Sequence, residues 1–128
     1  MRILGAHKSI AGGLHRAFER GDQIGCETMQ IWVKNPRQWD APPLTETEIR
    51  DFQAARGESD IAPVVAHAAY LINIASPKPA LWEKSIRALI TEVERCEALD
   101  VPYLVLHPGA HTGSGMPAGL QRAAQELD

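Results

Sequence analysis

Four short apolar runs, RILGAH, TMQIWVK, APVVAHAAY and VPYLVLHPGAH, recur along the 128 residues, and a stretch with helical spacing follows each of them. Strands that are apolar almost throughout, each followed by an amphipathic helix, imply a parallel sheet with helices on its outside, connected by right-handed crossovers. The order read from the sequence is βαβαβαβα. The first helix is carried by Leu14, Ala17, Phe18, Gly21 and Ile24, and the second starts at Thr45 and Glu48, which stand in capping-box spacing. The third and longest places Trp82, Ile86, Leu89, Ile90, Val93, Cys96 and Leu99 on one apolar face. A glycine-rich loop leads from the fourth strand into a final helix, AGLQRAAQELD.

The strands end near His7, Lys34, His67 and His107, roughly 27, 33 and 40 residues apart, a spacing suited to βαβ units with loop insertions. No boundary divides residues 1–128, which read as a single domain. Two architectures suit the pattern: a doubly wound sheet, or the (βα)4 half of a TIM-type barrel with parallel strands and outer helices. A nucleotide-binding doubly wound domain carries a glycine-rich phosphate fingerprint after its first strand, and GAHKSIAGG is neither GxGxxG nor GxxxxGK[ST]. The α/β half-barrel gains by that.

Composition narrows the function. A content of 45% hydrophobic and 23% charged residues is that of a globular domain. No apolar stretch approaches the roughly 20 residues of a membrane-spanning helix, and no basic-then-apolar leader opens the chain, so no membrane partner and a cytoplasmic location are expected. Cys26 and Cys96 form no CxxC pair and read as reduced packing residues. A net charge of -3 argues against a generally basic nucleic-acid coat but leaves room for a local basic cleft with Lys8, Lys34 and Arg37.

Loops leaving the C-terminal ends of parallel strands carry the chemistry of such folds, and His7, His67 and His107 all lie there, with Asn35 and Arg37. Imidazole is a good zinc ligand, and His67 and His107 are placed to share an ion. Taken singly, each reads first as a loop histidine bonded to a carbonyl; their recurrence shifts the balance toward a metal. His7 reads as a group that orients a ligand or contacts a phosphate. His15, within the first helix, and His111, in the glycine-rich loop, are weaker candidates. The loop KNPRQWD offers Lys34, Arg37 and Trp39 to a phosphate or a base, or else two solvated cations and a tryptophan closing the barrel end. Tyr70 and Leu71 form an apolar wedge able to unstack a base step, or else pack on the next helix. The apolar stripe with Trp82 reads as core, and the run from Glu92 to Glu97 as a solvated face.

Together, GAHKSIAGGL, KNPRQW, HAAYLINIA, LWEKSIRALITEVERCEALD and LHPGAH resemble, in order and spacing from Met1 to His111, the N-terminal half of endonuclease IV. That family comprises zinc-dependent apurinic/apyrimidinic endonucleases of DNA repair. The resemblance implies a TIM-type barrel with three zinc ions at its C-terminal face, cleaving double-stranded DNA 5′ to abasic sites and leaving a 3′ hydroxyl. It makes His67 and His107 zinc ligands, sets Arg37, Tyr70 and Leu71 against the DNA at the lesion, and puts Gln38 on the same loop. A related metal-dependent sugar isomerase or epimerase, and a non-catalytic half-barrel that binds DNA or a partner chain, are the other readings.

The family's barrel has eight strands, and its remaining ligands would follow Asp128. Since a zinc ion takes about four ligands, two histidines form an incomplete set. Half a barrel also leaves its first and fourth strands as open edges. A fragment, a truncated product, or an assembly completed by self-association or by a missing C-terminal half is therefore expected.

Overall fold

In the computed structural model, which describes residues 2–128, strands and helices alternate in the expected order. They are β1 (Gly5–His7), α1 (Arg16–Asp22), β2 (Thr28–Ile31), α2 (Glu46–Gly57), β3 (Val64–His67), α3 (Pro79–Ala98), β4 (Tyr103–Val105) and α4 (Met116–Leu127). The strands are shorter than the apolar runs that announce them. All three pairings are parallel and join consecutive strands, so the sheet order is β1-β2-β3-β4. His7 lies opposite Gln30, Gln30 opposite Val65, and His67 opposite Val105.

Side chains alternate across each strand, and this divides the sheet into two unlike faces. Met29 and Ile31 with Val64 and Ala66 are buried under the helices. There Phe18 of α1 and Phe52 of α2 meet edge to face with ring centroids 5.1 Å apart, and Leu99 closes the cluster. The other face holds His7, Gln30, Val65, His67, Tyr103 and Val105. Half a barrel is expected to leave strand surface uncovered, and Tyr103 is 59% and Val105 42% exposed. The physical reason is that four strands curve far enough to define an inner face without enclosing it. Among the described residues, β1 and β4 each pair on one side only.

Helix α3 also departs from its apolar pattern. Ser85, Ala88, Glu92 and Cys96 are buried, whereas Ile90 and Val93 are half exposed and Trp82 is half-buried. The spacing of three, four and four residues puts those four on one face, and their mostly small side chains let the helix lie close to the sheet. Glu92 therefore belongs to the interior rather than to a solvated face. Helix α2 starts as its sequence requires: the Glu48 amide donates to Thr45 Oγ1 (3.1 Å), and the Thr45 amide donates to Glu48 Oε2 (2.8 Å). That second bond holds the Glu48 carboxyl below the usual carboxylate range. Among the described residues no helix is long and apolar enough to cross a membrane.

Both cysteines are free thiols. Burial, reinforced by the Glu92 carboxylate, pushes the Cys96 thiol up from 9.0 to about 11. The native state keeps this proton to higher pH than the unfolded chain, so the group's contribution to stability is lost as pH rises from 9 towards 11. At pH 8 the expected alkylation of native Cys96 is about 100-fold slower than that of the same thiol in the unfolded chain; equal rates by mass spectrometry would contradict this environment.

Candidate site at the rim of the sheet

The C-terminal ends of the strands gather the predicted histidines. His67 ends β3 and His107 lies two residues beyond β4, and their ring centroids are 5.1 Å apart. His67 is half-buried and His107 is exposed. The Nδ1 of His67 lies 2.7 Å from the carbonyl oxygen of Ala68, which can only accept, so Nδ1 carries the proton. Its Nε2 is left with a free lone pair, as a metal-ligating imidazole requires. His7 is arranged the other way, with Gln30 Nε2 2.9 Å from its Nδ1, so the amide donates and His7 keeps its proton on Nε2. Burial first, and then the neighbouring His67, lower the pKa of His7, so it stays neutral to lower pH than an ordinary imidazole.

Trp32, which sequence reasoning did not single out, organises these rings. Its centroid is 4.8 Å from His7, 5.1 Å from His67 and 4.9 Å from Tyr70. The inward-facing alternation of β2, continued one residue past Ile31, was the available signal. Tyr70 stands 73% exposed, and Leu71 beside it is half-buried. On the neighbouring loop Asn35, Arg37 and Gln38 are exposed. Asn35 shapes that loop by accepting from the Arg37 amide through Oδ1 (3.0 Å) and from the Gln38 amide through its carbonyl (3.2 Å). An open groove of about 590 Å³ runs beside it, lined in part by His7, Ile10, Trp32 and Asn35.

Other expectations need correction. Lys34, read as a rim cation, is 4% exposed: its ammonium lies 3.5 Å from the Glu92 carboxylate and donates to the Gln38 carbonyl. The turn carrying Gln38 folds over it and Glu92 of α3 stands opposite, which accounts for this. Trp39 packs on the cluster of Ala69, Ile72 and Ala88 under Lys84, whose Nζ is 4.6 Å from the ring centroid. His15 stands at the residue before α1, makes no side-chain capping bond, and is half-buried rather than lying on the helix surface. His111 uses Nδ1 to accept from the amides of Gly113 and Gly115, at 3.2 and 3.3 Å, and so shapes its own loop.

His107 depends on Asn73, whose Oδ1 accepts from the Ala110 amide (3.0 Å) while its Nδ2 donates to the Ala110 carbonyl (3.0 Å). This double bond ties the HPGA turn to the loop after β3. Gly109 makes the approach feasible, with a φ of +109° and space for no side chain: a Cβ would overlap Asn73 Oδ1.

The profile of the xylose isomerase-like TIM barrel family matches residues 18–128. The chain belongs to that family. It is 51% identical over 127 residues to a probable endonuclease 4 of Chloroflexus aurantiacus, a match covering 99% of this chain and 45% of that protein. A probable endonuclease 4 of Halothermothrix orenii is 42% identical over 98% of the chain and 45% of its own length. The crystal structure of endonuclease IV from Thermus thermophilus superposes with a TM-score of 0.81 at 35% identity, over 96% of this chain and 45% of that one. The chain thus spans about half the length of the relatives it matches and corresponds to the N-terminal half of endonuclease IV. A D-psicose 3-epimerase from Clostridium cellulolyticum H10 (TM-score 0.66, 13% identity, 97% and 46% coverage) shares the fold alone.

These geometries have measurable consequences. At pH 8, where imidazole is neutral, nitrogen-detected NMR is expected to show His67 as the Nδ1–H tautomer and His7 as Nε2–H; the reverse pair would contradict the bonds described. Gly109→Ala is expected to cost about 1–3 kcal/mol through its left-handed backbone alone. It should also lose exchange protection at Ala110, and a variant as stable as the parent would contradict the strained backbone at this turn.

Proposed function

We propose that this chain supplies the N-terminal half of a zinc-dependent DNA repair endonuclease that hydrolyses the phosphodiester 5′ to abasic sites and leaves a 3′ hydroxyl. The supporting observation is the pairing of two adjacent histidine rings with an exposed aromatic on the same rim. His67 and His107 are the ligands, and His67 presents Nε2 because its other nitrogen is held by Ala68. Donor type fits zinc, while donor number does not complete it. Among the described residues no group of three or more His, Cys, Asp or Glu side chains is arranged around one point. A zinc ion takes about four ligands, so the rest come from the other half of a barrel, which would also cover the exposed inner face and the β1 and β4 edges. When bound, zinc supplies Lewis-acid stabilisation of charge on the phosphate oxygens.

The chain's own residues perform recognition. Arg37 binds the phosphate backbone at the lesion, with Asn35 and Gln38 contributing from the same turn. Tyr70 and Leu71 enter the base step, where a missing base lowers the cost of unstacking. Trp32 gives Tyr70 a ring to rest on, and His7 steadies the rim next to His67 without ligating. An exposed apolar wedge beside a phosphate-binding arginine suits a duplex and has no use in a site for a small sugar.

The test is incision of a duplex oligonucleotide carrying one tetrahydrofuran abasic analogue by this chain joined to the C-terminal half of a probable endonuclease 4, with zinc binding read by calorimetry. His67→Ala and His107→Ala are each expected to weaken zinc binding by at least about 10-fold and to abolish incision. Zinc binding unaffected by both changes, or incision that survives them, would overturn the assignment.

A further inference from the structure

Three ion pairs are formed among the described residues, and one of them is shut away from solvent at both ends. Lys34 and Glu92 have side chains 2% and 1% exposed, against 53% and 58% for Arg16 and Glu19 and 24% and 94% for Arg56 and Asp100. A buried pair gains little net stability, since well-packed apolar residues of similar size serve as well. Its placement is therefore informative. Both carboxylate oxygens of Glu92 accept from the Ala69 amide, at 3.0 and 3.1 Å, and Ala69 immediately precedes Tyr70. The Lys34 ammonium donates to the Gln38 carbonyl and lies 3.5 Å from that of Asn35, the two ends of the turn that carries Arg37. One turn along α3, Arg95 donates from Nε to the Val33 carbonyl (2.6 Å) and from NH1 to the Pro42 carbonyl (2.7 Å), gripping the same loop at its start and beyond its tip.

We propose that the buried Lys34–Glu92 pair is a positioning device that fixes the separation between the Arg37 turn and the Tyr70–Leu71 wedge, and thereby sets how the two meet a duplex. Neither residue is catalytic, because both lie beneath the rim and reach DNA only through the backbone of other residues. Glu92 holds the wedge, Lys34 holds the turn, and their mutual attraction locks the loop after β2 to the loop after β3. An apolar pair would fill the same volume and leave the two loops free to shift independently. The role in recognition rests on the function proposed above; the mechanical link between the loops does not.

The test compares wild type with Glu92→Gln and with the double variant Lys34→Met, Glu92→Leu. It reads amide hydrogen exchange, zinc binding, and anisotropy with duplexes that either contain a tetrahydrofuran site or are intact. In the double variant, exchange at Ala69 and Gln38 is expected to accelerate at least about 10-fold while the β3 amides at Val65 and Ala66 keep their protection. Preference for the abasic duplex should fall by a similar factor, with zinc affinity unchanged. Glu92→Gln retains an oxygen for the Ala69 amide but loses the charge. It should spare Ala69 and loosen the Arg37 turn, and it carries the test if the double variant does not fold. Unchanged exchange in both loops, or protection lost evenly across the sheet, would overturn the proposal. A wild type with no preference for the abasic duplex would overturn the DNA reading instead, and the exchange data would still decide the link.

Discussion

Backbone that leaves a parallel sheet and wanders over its rim loses its ladder partners, and every buried amide and carbonyl must find another. In this chain α3 provides several of them. Ser85 Oγ accepts from the Asn73 amide (2.9 Å), Trp82 Nε1 donates to the Ile74 carbonyl (3.1 Å), and Glu92 accepts from Ala69. Arg122 of α4 completes the set with two bonds to the Ala75 carbonyl, at 3.0 and 2.9 Å. The stretch from Ala68 to Ala75 thus has no regular structure, yet it is fastened at Ala69, Asn73, Ile74 and Ala75 to the helices beneath. The rim chemistry inherits its geometry from those helices.

This arrangement also explains why a helix facing a core carries a serine, a carboxylate and an arginine where apolar residues would otherwise stand. The helix packs on the sheet through Ala88 and Cys96 and serves the loops through Ser85, Glu92 and Arg95. Packing and polar support alternate along a single face. Burial raises the Glu92 carboxyl above the usual range, and the Ala69 amide and the Lys34 ammonium pull it back.

Much of the fold was legible because its signals are local. Strand and helix alternation, the Thr45–Glu48 cap and the rim placement of His7, His67 and His107 depend on residues near one another in sequence, and all appear in the structure. The likeness to endonuclease IV was carried by five short motifs in register. What stayed hidden depends on partners far away in the chain. A charged run reads as solvated when a helix is taken alone; Glu92 becomes interior only because Lys34, 58 positions earlier, stands opposite. Lys34 itself reads as a rim cation until the turn carrying Gln38 folds over it. Trp32 looked like one more apolar strand residue, and its role emerges only once β1 and β3 bring His7 and His67 to either side.

The sheet order carries a consequence for how the chain acquires its shape. Because each strand pairs with the next one in sequence, every pairing joins segments separated by only one helix and its loops. Synthesis proceeds at about 5–20 residues per second, and chains fold unit by unit from the N-terminal side as they are made. Each βα unit can therefore dock on its predecessor as it leaves the ribosome. The sheet would grow in one direction, and the loops of the rim would be fastened in order, that of β3 only after α3 has been made.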